Sequence, residues 1–264
     1  MRSIHTILPL GVALACLIGA CSTGSGSAGA PGFADAPPDG EPIVLNVYAA
    51  ASLTETFAEL EEIFESDHPG VDVRFNFAGS QDLVAQIAQG APADVLATAN
   101  ESTMDAAREQ GLVTESTLFA TNTLTIITTP GNPGGVTGLD SSLDSVTLVI
   151  CAPEVPCGKL TKKLTESLGI TLNPVSEEQA VTDVRGKVSS GQADAGIVYK
   201  TDALAEGDAV DTVEIDGADT AVNAYPIALV STTEHAEAAQ SWIDLVLSER
   251  GQAILEETGF TPAT

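Results

Sequence analysis

The sequence predicts an α/β fold of two lobes, each a mainly parallel sheet flanked by helices. Strand-like apolar runs alternate with helix-like segments along most of the 264 residues, and a chain of this length can bury one or two substantial cores. Two neighbouring strand-to-helix turns contain a serine, Ser52 and Ser80. Serines at successive helix starts are the arrangement expected at the carboxyl edge of a parallel sheet.

The N-terminal segment, residues 1–21, is a targeting sequence rather than part of the fold. Arg2 gives it a positive start, and the apolar run at 7–18 is too short for a typical transmembrane helix. Ile-Gly-Ala-Cys at 18–21 resembles a bacterial lipobox, in which the cysteine, Cys21, is lipidated. Ordinary secretion with cleavage nearby is the alternative.

A tether follows at residues 22–42. Gly, Ser, Ala, Pro and Asp dominate its composition, and such a segment cannot bury enough apolar surface to fold. We therefore expect a disordered link between a lipid anchor and a globular body.

The first helix start combines a strand, a serine and an acidic residue. The run at 43–48 predicts a buried strand, and Ser52 follows it with Glu55 three residues on. Ser-x-x-Glu before an apolar run is a capping box, so we expect Ser52 to cap the first helix, and Ser80 to begin the next one similarly. The N–H groups of a helix start and a serine hydroxyl together suit an anion. The alternative is that each serine only caps its helix.

Lobe 1 is predicted to comprise residues 43–122 and 228–264, and lobe 2 residues 123–227. A β-branched stretch at 121–128, followed by a Pro/Gly-rich break, marks entry into the second lobe, and a strand at 225–230 returns to the first. The other elements predicted for lobe 1 are strands at 71–77 and 95–99 and helices at 80–90, 100–110, 236–247 and 248–258, with Asn100 capping the third helix.

The second lobe repeats the same construction. Residues 146–150 predict a buried strand, and Pro156 suits the first turn of the helix that follows, which ends at Gly169. From Glu177 the chain is predicted to be helical again, and residues 195–199 form another strand.

Composition excludes several classes of function. There are 37 acidic and 10 basic residues, a formal charge of −27, which argues against nucleic acid or an anionic membrane surface as a partner. Beyond the targeting segment only His68 and His235 occur, and neither belongs to a Cys/His cluster, which argues against a zinc site. Ser52 lacks a Gly-x-Ser-x-Gly elbow, and so few histidines offer little for a triad, so we do not expect an enzyme.

Two cysteines are left in the exported part of the chain, Cys151 and Cys157. They lie six positions apart in an oxidising compartment, with Pro153 and Pro156 bending the chain between them. This favours a disulfide over free thiols or metal ligands.

Five segments carry a family resemblance that spans residues 45–260. They are Ala-Ala-Ala-Ser-Leu-Thr at 49–54, Gly-Ala-Pro-Ala-Asp at 90–94, Ala-Asp-Ala-Gly-Ile-Val-Tyr at 193–199, Tyr-Pro at 225–226 and Gly-Phe-Thr at 259–261. Together they resemble the extracytoplasmic molybdate-binding proteins of ABC importers. The resemblance implies a type II periplasmic-binding fold with the ligand in the cleft between the lobes, molybdate or tungstate as ligand, no cofactor, a membrane permease and ATPase as partners, and a monomeric protein. The lipobox at Cys21 predicts that this protein is anchored to the outer face of the cell membrane.

The same resemblance implies which residues hold the oxyanion. Members of the family use serine hydroxyls, backbone N–H groups and a tyrosine hydroxyl. Carried over position by position, these fall on Ser52, Ser80, Cys157, Val181 and Tyr199. Local similarity at 183–186 favours Val184 instead of Val181 for one backbone donor.

The chemistry of this donor set agrees with a tetrahedral dianion. Hydroxyls and helix-terminal N–H groups donate from several directions without formal charge. Hydrogen phosphate carries a proton that needs an acceptor, so a site made only of donors disfavours it. Sulfate as ligand and a sensory lipoprotein on the same fold are the alternatives to molybdate import.

Overall fold

The computed structural model describes residues 42–263, so the predictions for the targeting segment, for lipidation of Cys21 and for nearly all of the tether lie outside the described residues. The strands are β1 (Ile43–Ala50), β2 (Val71–Ala78), β3 (Val95–Ala97), β4 (Val113–Asn122), β5 (Leu124–Thr128), β6 (Leu148–Cys151), β7 (Ser176–Glu178), β8 (Ala195–Tyr199), β9 (Asp211–Val213), β10 (Asn223–Val230) and β11 (Thr261–Pro262). The helices are α1 (Thr54–Asp67), α2 (Ser80–Ala88), α3 (Glu101–Glu109), α4 (Pro156–Leu168), α5 (Val181–Ser189), α6 (Lys200–Glu206), α7 (Ala236–Leu247) and α8 (Glu249–Glu257).

The strands form two sheets, with the orders β11-β4-β10-β3-β1-β2 and β7-β6-β8-β5-β9. In the first sheet β1 runs parallel to β2 and β3, whereas β10 is antiparallel to β3 and β4. In the second, β6 runs parallel to β7 and β8, whereas β5 is antiparallel to β8 and β9. Each sheet therefore has a parallel half, whose strands lead into helices, and an antiparallel half.

The chain crosses from one sheet to the other through the antiparallel halves. β4 ends at Asn122 in the first sheet and β5 begins at Leu124 in the second, so the strand-like stretch at 121–128 is divided between them. The returning strand β10 begins at Asn223, which lies opposite Asn122 in the β4–β10 register. The exact lobe borders at 123 and 227 stay a prediction.

Each sheet has its own apolar core. In the first, the fully buried Trp242 of α7 meets the rings of Phe57, Phe64 and Phe75 at centroid distances of 5.4, 5.4 and 5.7 Å. In the second, Val184 and Val188 of α5 pack on β8, where Gly196 leaves room for them: a Cβ there would lie 2.8 Å from Val184 Cγ1. These cores place the parallel strand ends of both sheets around one cleft.

Of the two helix starts predicted for the second lobe, one agrees with the structure, and helix α6 was not predicted. Pro156 is the first residue of α4, and Gly169 ends that helix with a φ of 67°. The prediction that the chain is helical from Glu177 is wrong, because residues 176–178 pair in parallel with β6 as strand β7. Helix α5 therefore starts at Val181, where the apolar i, i+3, i+7 spacing begins.

The predicted disulfide between Cys151 and Cys157 is present, with an S–S distance of 2.03 Å. It joins the end of β6 to the first turn of α4. The backbone is tight here: a Cβ on Gly158 would lie 1.9 Å from the carbonyl oxygen of Ala152. Among residues 42–263, no helix is long and apolar enough to cross a membrane.

Candidate functional site

A cavity lies where the parallel strand ends of the two sheets face each other. Its volume is about 210 Å³, counting the part open to solvent. All five residues predicted to bind an oxyanion, Ser52, Ser80, Cys157, Val181 and Tyr199, line it, and each is at most 4% exposed. The other lining residues are small or apolar, namely Ala50, Ala51, Ala78, Gly79, Ala99, Val155 and Pro156.

Ser52 lies in a single 3₁₀ turn, Ala51–Leu53, between β1 and α1. Its Oγ is 3.0 Å from the hydroxyl of Tyr225 on β10, and either group can donate. The predicted capping box is wrong, because the extra turn delays α1 to Thr54 and Glu55 bonds Arg185 instead. The Ser52 hydroxyl therefore lies at the cavity rather than over its own helix.

Ser80 is the first residue of α2, and Gly79 occupies the N-cap position. The expectation that Ser80 caps this helix is therefore wrong as well. Its Oγ accepts the N–H of Ala99 at 3.0 Å. Because the oxygen is the acceptor in this bond, the hydroxyl proton of Ser80 is left to donate into the cavity.

Two backbone donors come from helix starts of the second lobe. Cys157 and Val181 lie in the first turns of α4 and α5, where N–H groups have no partner within their own helix. Val181 lines the cavity, whereas Val184 is fully buried in the apolar core. Of the two valines considered, only Val181 lies where its N–H can face a ligand.

Tyr199 ends β8 and is buried. Burial raises the pKa of its hydroxyl well above the ordinary value, so the group stays protonated and can donate. Its oxygen lies 2.6 Å from the side-chain nitrogen of Asn223. Sequence reasoning gave no role to Asn223 or to the hydroxyl of Tyr225; an asparagine two positions before a tyrosine in an otherwise apolar strand was the available signal.

The cavity has no formal charge of its own. None of the lining residues, all within the described part of the chain, is acidic or basic. The nearby Lys159 donates to Ser102 Oγ at 3.4 Å and does not line the cavity. Residues 42–263 also hold no cluster of His, Cys, Asp and Glu that could bind a metal ion. The arrangement can therefore hold an anion by hydrogen bonds and helix dipoles.

The two lobes touch directly around the cavity. Arg185 of α5 donates to Glu55 of α1 at 2.6 Å. Gln81 of α2 donates to the carbonyl oxygen of Gln179 at 3.2 Å. The backbones approach so closely that a Cβ on Gly79 would lie 2.4 Å from that same oxygen. The cleft is closed in this structure.

Arg185 belongs to an acidic cluster behind the cleft. Besides Glu55, its guanidinium lies 3.0 Å from Glu206 and 3.9 Å from Asp202. Asp202 accepts the N–H of Tyr199 at 3.1 Å and is fully buried. Burial is the largest influence on its carboxyl and raises the pKa to about 7, although Arg185 opposes the shift. A partly protonated acid therefore supports the segment that carries Tyr199.

Comparisons with known proteins give a consistent picture. The family model of bacterial extracellular solute-binding proteins matches residues 45–261. A molybdate-binding protein of Mycobacterium tuberculosis is 43% identical over 216 residues, covering 81% of this chain and 83% of the relative. A Bacillus subtilis relative with the provisional name of an ABC-transporter substrate-binding lipoprotein is 29% identical, covering 83% of this chain and 86% of its own length.

A solved structure supports the fold. The periplasmic molybdate-binding protein of Azotobacter vinelandii superimposes with a TM-score of 0.73 at 19% identity, covering 83% of this chain and all of that one. At this identity the likeness shows the fold alone. The two sheets flanked by helices are those of a type II periplasmic-binding protein.

Asp202 should make stability depend on pH. Its pKa is about 7 in the folded chain and about 3.9 when unfolded. At pH values between these two, the carboxyl is therefore mostly protonated in the folded state and mostly ionised in the unfolded state. The free energy of unfolding should therefore fall as pH rises from about 4 to about 7, by on the order of 4 kcal/mol. In urea unfolding experiments across this pH range, the free energy of unfolding should change less with pH for Asp202→Asn than for wild type.

The exposed Asp208 provides the matched control. Asp208→Asn should keep the wild-type profile. Equal slopes in wild type and Asp202→Asn would contradict the assignment of the proton to Asp202.

Proposed function

The chain belongs to the bacterial extracellular solute-binding proteins, and we propose that it captures molybdate outside the cytoplasmic membrane and delivers it to an ABC importer. One observation carries this proposal: hydroxyl and N–H donors from both lobes converge on a closed cavity lined by no charged side chain of the described chain. Proteins of this family bind their ligand without a cofactor. The role of Ser52 is that of a hydrogen-bond donor, not of a nucleophile.

The donor set favours a fully deprotonated tetrahedral anion. Ser52, Ser80 and Tyr199 offer hydroxyls, and the starts of α4 and α5 offer N–H groups. A carboxylate that could accept a ligand proton is missing from the described lining residues. Hydrogen phosphate would leave its proton unpaired, at a cost that a dianion such as molybdate avoids.

The choice among dianions rests on relatedness. Sulfate has the same charge and shape as molybdate and is the second candidate. The 43% identity to molybdate-binding proteins over most of the chain favours molybdate. Tungstate matches molybdate in charge and geometry, and we propose it as a second ligand. Calorimetry of residues 42–264 against molybdate, tungstate, sulfate and phosphate tests the proposal, and it also separates transport from a sensory role in which no oxyanion binds.

Each hydroxyl donor should contribute part of the affinity for molybdate. A hydrogen bond to a charged group is worth about 1.5–3 kcal/mol, so Ser52→Ala, Ser80→Ala and Tyr199→Phe should each weaken molybdate binding about 10- to 100-fold. The surface variant Ser167→Ala should bind as wild type does. Ser80→Ala should also lower stability, because it leaves the N–H of Ala99 without its acceptor.

Ionic strength gives a second readout for the same site. Because the cavity lining carries no cation, affinity should depend only modestly on salt. Full affinity in the Ser52→Ala/Ser80→Ala double variant, or a steep salt dependence, would rule out the site. The latter would point to Lys159, Lys162 and Lys163.

The lobes must open to admit the ligand, and we propose hinge motion at the two crossings between the sheets. Gly79 permits this closure, because a methyl group added at this position would meet the backbone of Gln179 across the cleft. Gly79→Ala should weaken molybdate binding about 10- to 100-fold. It should also reduce the contraction that saturating molybdate produces in small-angle scattering.

Gly186 is the control for this substitution. It lies within α5, and a Cβ there meets nothing within 4 Å. Gly186→Ala should contract and bind as wild type does. The closure proposal fails if Gly79→Ala also contracts fully.

We propose that Cys21 carries the lipid anchor that holds a monomeric binding protein near its permease and ATPase. The Ile-Gly-Ala-Cys sequence at 18–21 supports this, as does the name of the Bacillus subtilis relative. Two acyl chains suffice for stable anchoring. In a Cys21→Ser variant the protein should appear in the culture medium, whereas wild type should sediment with membranes. Membrane retention of the variant would overturn the anchor.

A further inference from the structure

Asn223 connects the hinge to two of the three donors that the second lobe contributes, Tyr199 and Cys157. It is the first residue of β10, where the chain returns to the first sheet, and its side chain is buried. The side-chain nitrogen lies 3.2 Å from the carbonyl oxygen of Pro156 and 2.6 Å from the hydroxyl oxygen of Tyr199. The two hydrogens of one nitrogen thus bond two different residues that line the cavity, Pro156 and Tyr199.

The carbonyl of Pro156 determines which way the amide of Asn223 points. A carbonyl oxygen only accepts hydrogen bonds, so the atom of Asn223 beside it must be the nitrogen and not the oxygen. Tyr199 Oη lies against the same nitrogen and must therefore accept. The proton of the Tyr199 hydroxyl then has to be donated elsewhere, and both the neighbouring hydroxyl of Tyr225 and the cavity that Tyr199 lines lie within its reach.

The second bond acts on the backbone donor. The carbonyl of Pro156 and the N–H of Cys157 belong to one peptide group, and in a trans peptide these two point in opposite directions. Holding the carbonyl from the Asn223 side therefore directs the N–H of Cys157 away from Asn223. Cys157 lines the cavity, so one side chain orients both a hydroxyl and a backbone donor.

We infer that Asn223 is a positioning residue that keeps Tyr199 and Cys157 as donors and so gives the site its preference for oxyanions without a proton. This inference rests on the proposed function. A Tyr199 hydroxyl that was free to rotate could instead accept the proton of hydrogen phosphate. The amide of Asn223 removes that option because the tyrosine oxygen already accepts from it.

The test compares Asn223→Ala and the isosteric Asn223→Asp with wild type, by calorimetry against molybdate and against inorganic phosphate. Asn223→Ala should weaken molybdate binding about 2- to 10-fold and reduce the preference for molybdate over phosphate about tenfold. Asn223→Asp should weaken molybdate binding about 100-fold, because a carboxylate accepts the Tyr199 proton and adds a negative charge beside the anion. Since Asp has the size of Asn, this variant keeps the test valid if Asn223→Ala unfolds.

Two controls separate positioning from a general structural effect. Asn76→Ala removes an amide bonded to Gln86 on the first lobe and should leave the molybdate-to-phosphate ratio unchanged. In a Tyr199→Phe background, the loss caused by Asn223→Ala should shrink, because only the bond to Pro156 is left to lose.

The outcomes distinguish this inference from the function it rests on. A molybdate-to-phosphate ratio that stays at its wild-type value in Asn223→Ala, or wild-type molybdate affinity in Asn223→Asp, overturns the positioning role alone. Wild-type protein that binds none of the oxyanions overturns the proposed function, and the inference with it.

Discussion

The structure depends on holding an anion without a cation inside a protein of net charge −27. The overall field opposes an anionic ligand, so the favourable interactions have to be local, short and directional. One cavity brings together four such places: the starts of α2, α4 and α5 and the 3₁₀ turn before α1. The N–H groups and partial positive charge of a helix start act only over its first turn. Each of these starts must therefore lie within a few ångströms of the ligand.

This requirement accounts for the small residues around the cavity. Ala50 and Ala51 let the backbone at the end of β1 approach a ligand, and Gly79 lets the two lobes close until backbone meets backbone. The parallel halves of the sheets bring strand ends to the cleft, while the antiparallel halves carry the chain across it. The disulfide from Cys151 to Cys157 ties one of the donating turns to its sheet.

A second layer of groups lies behind the donors. Ala99 N–H and the Asn223 amide donate to Ser80 and Tyr199, and Tyr225 contacts Ser52, so each hydroxyl of the cavity has a partner on its far side. Arg185, which lies near the cleft, is used differently. Arg185 pairs with carboxylates of both lobes. Its charge therefore holds the lobes together, and because these carboxylates neutralise it, it does not attract the ligand.

Much of this protein can be predicted from its sequence, because the relevant signals are local. Apolar periodicity gave most strands and helices, Pro156 and Gly169 marked the ends of α4, and the cysteine spacing gave the disulfide. The family resemblance placed five residues that the fold brings to one cavity. The starts of α1 and α5, and the partner of each hydroxyl, could be found only from the tertiary structure. Strand β7 displaced the start of α5 and so put Val181 at the cavity, and the partners of Ser52 and Glu55 lie 173 and 130 residues away in the chain. Such contacts have no local pattern, because they exist only once distant parts of the chain have packed together.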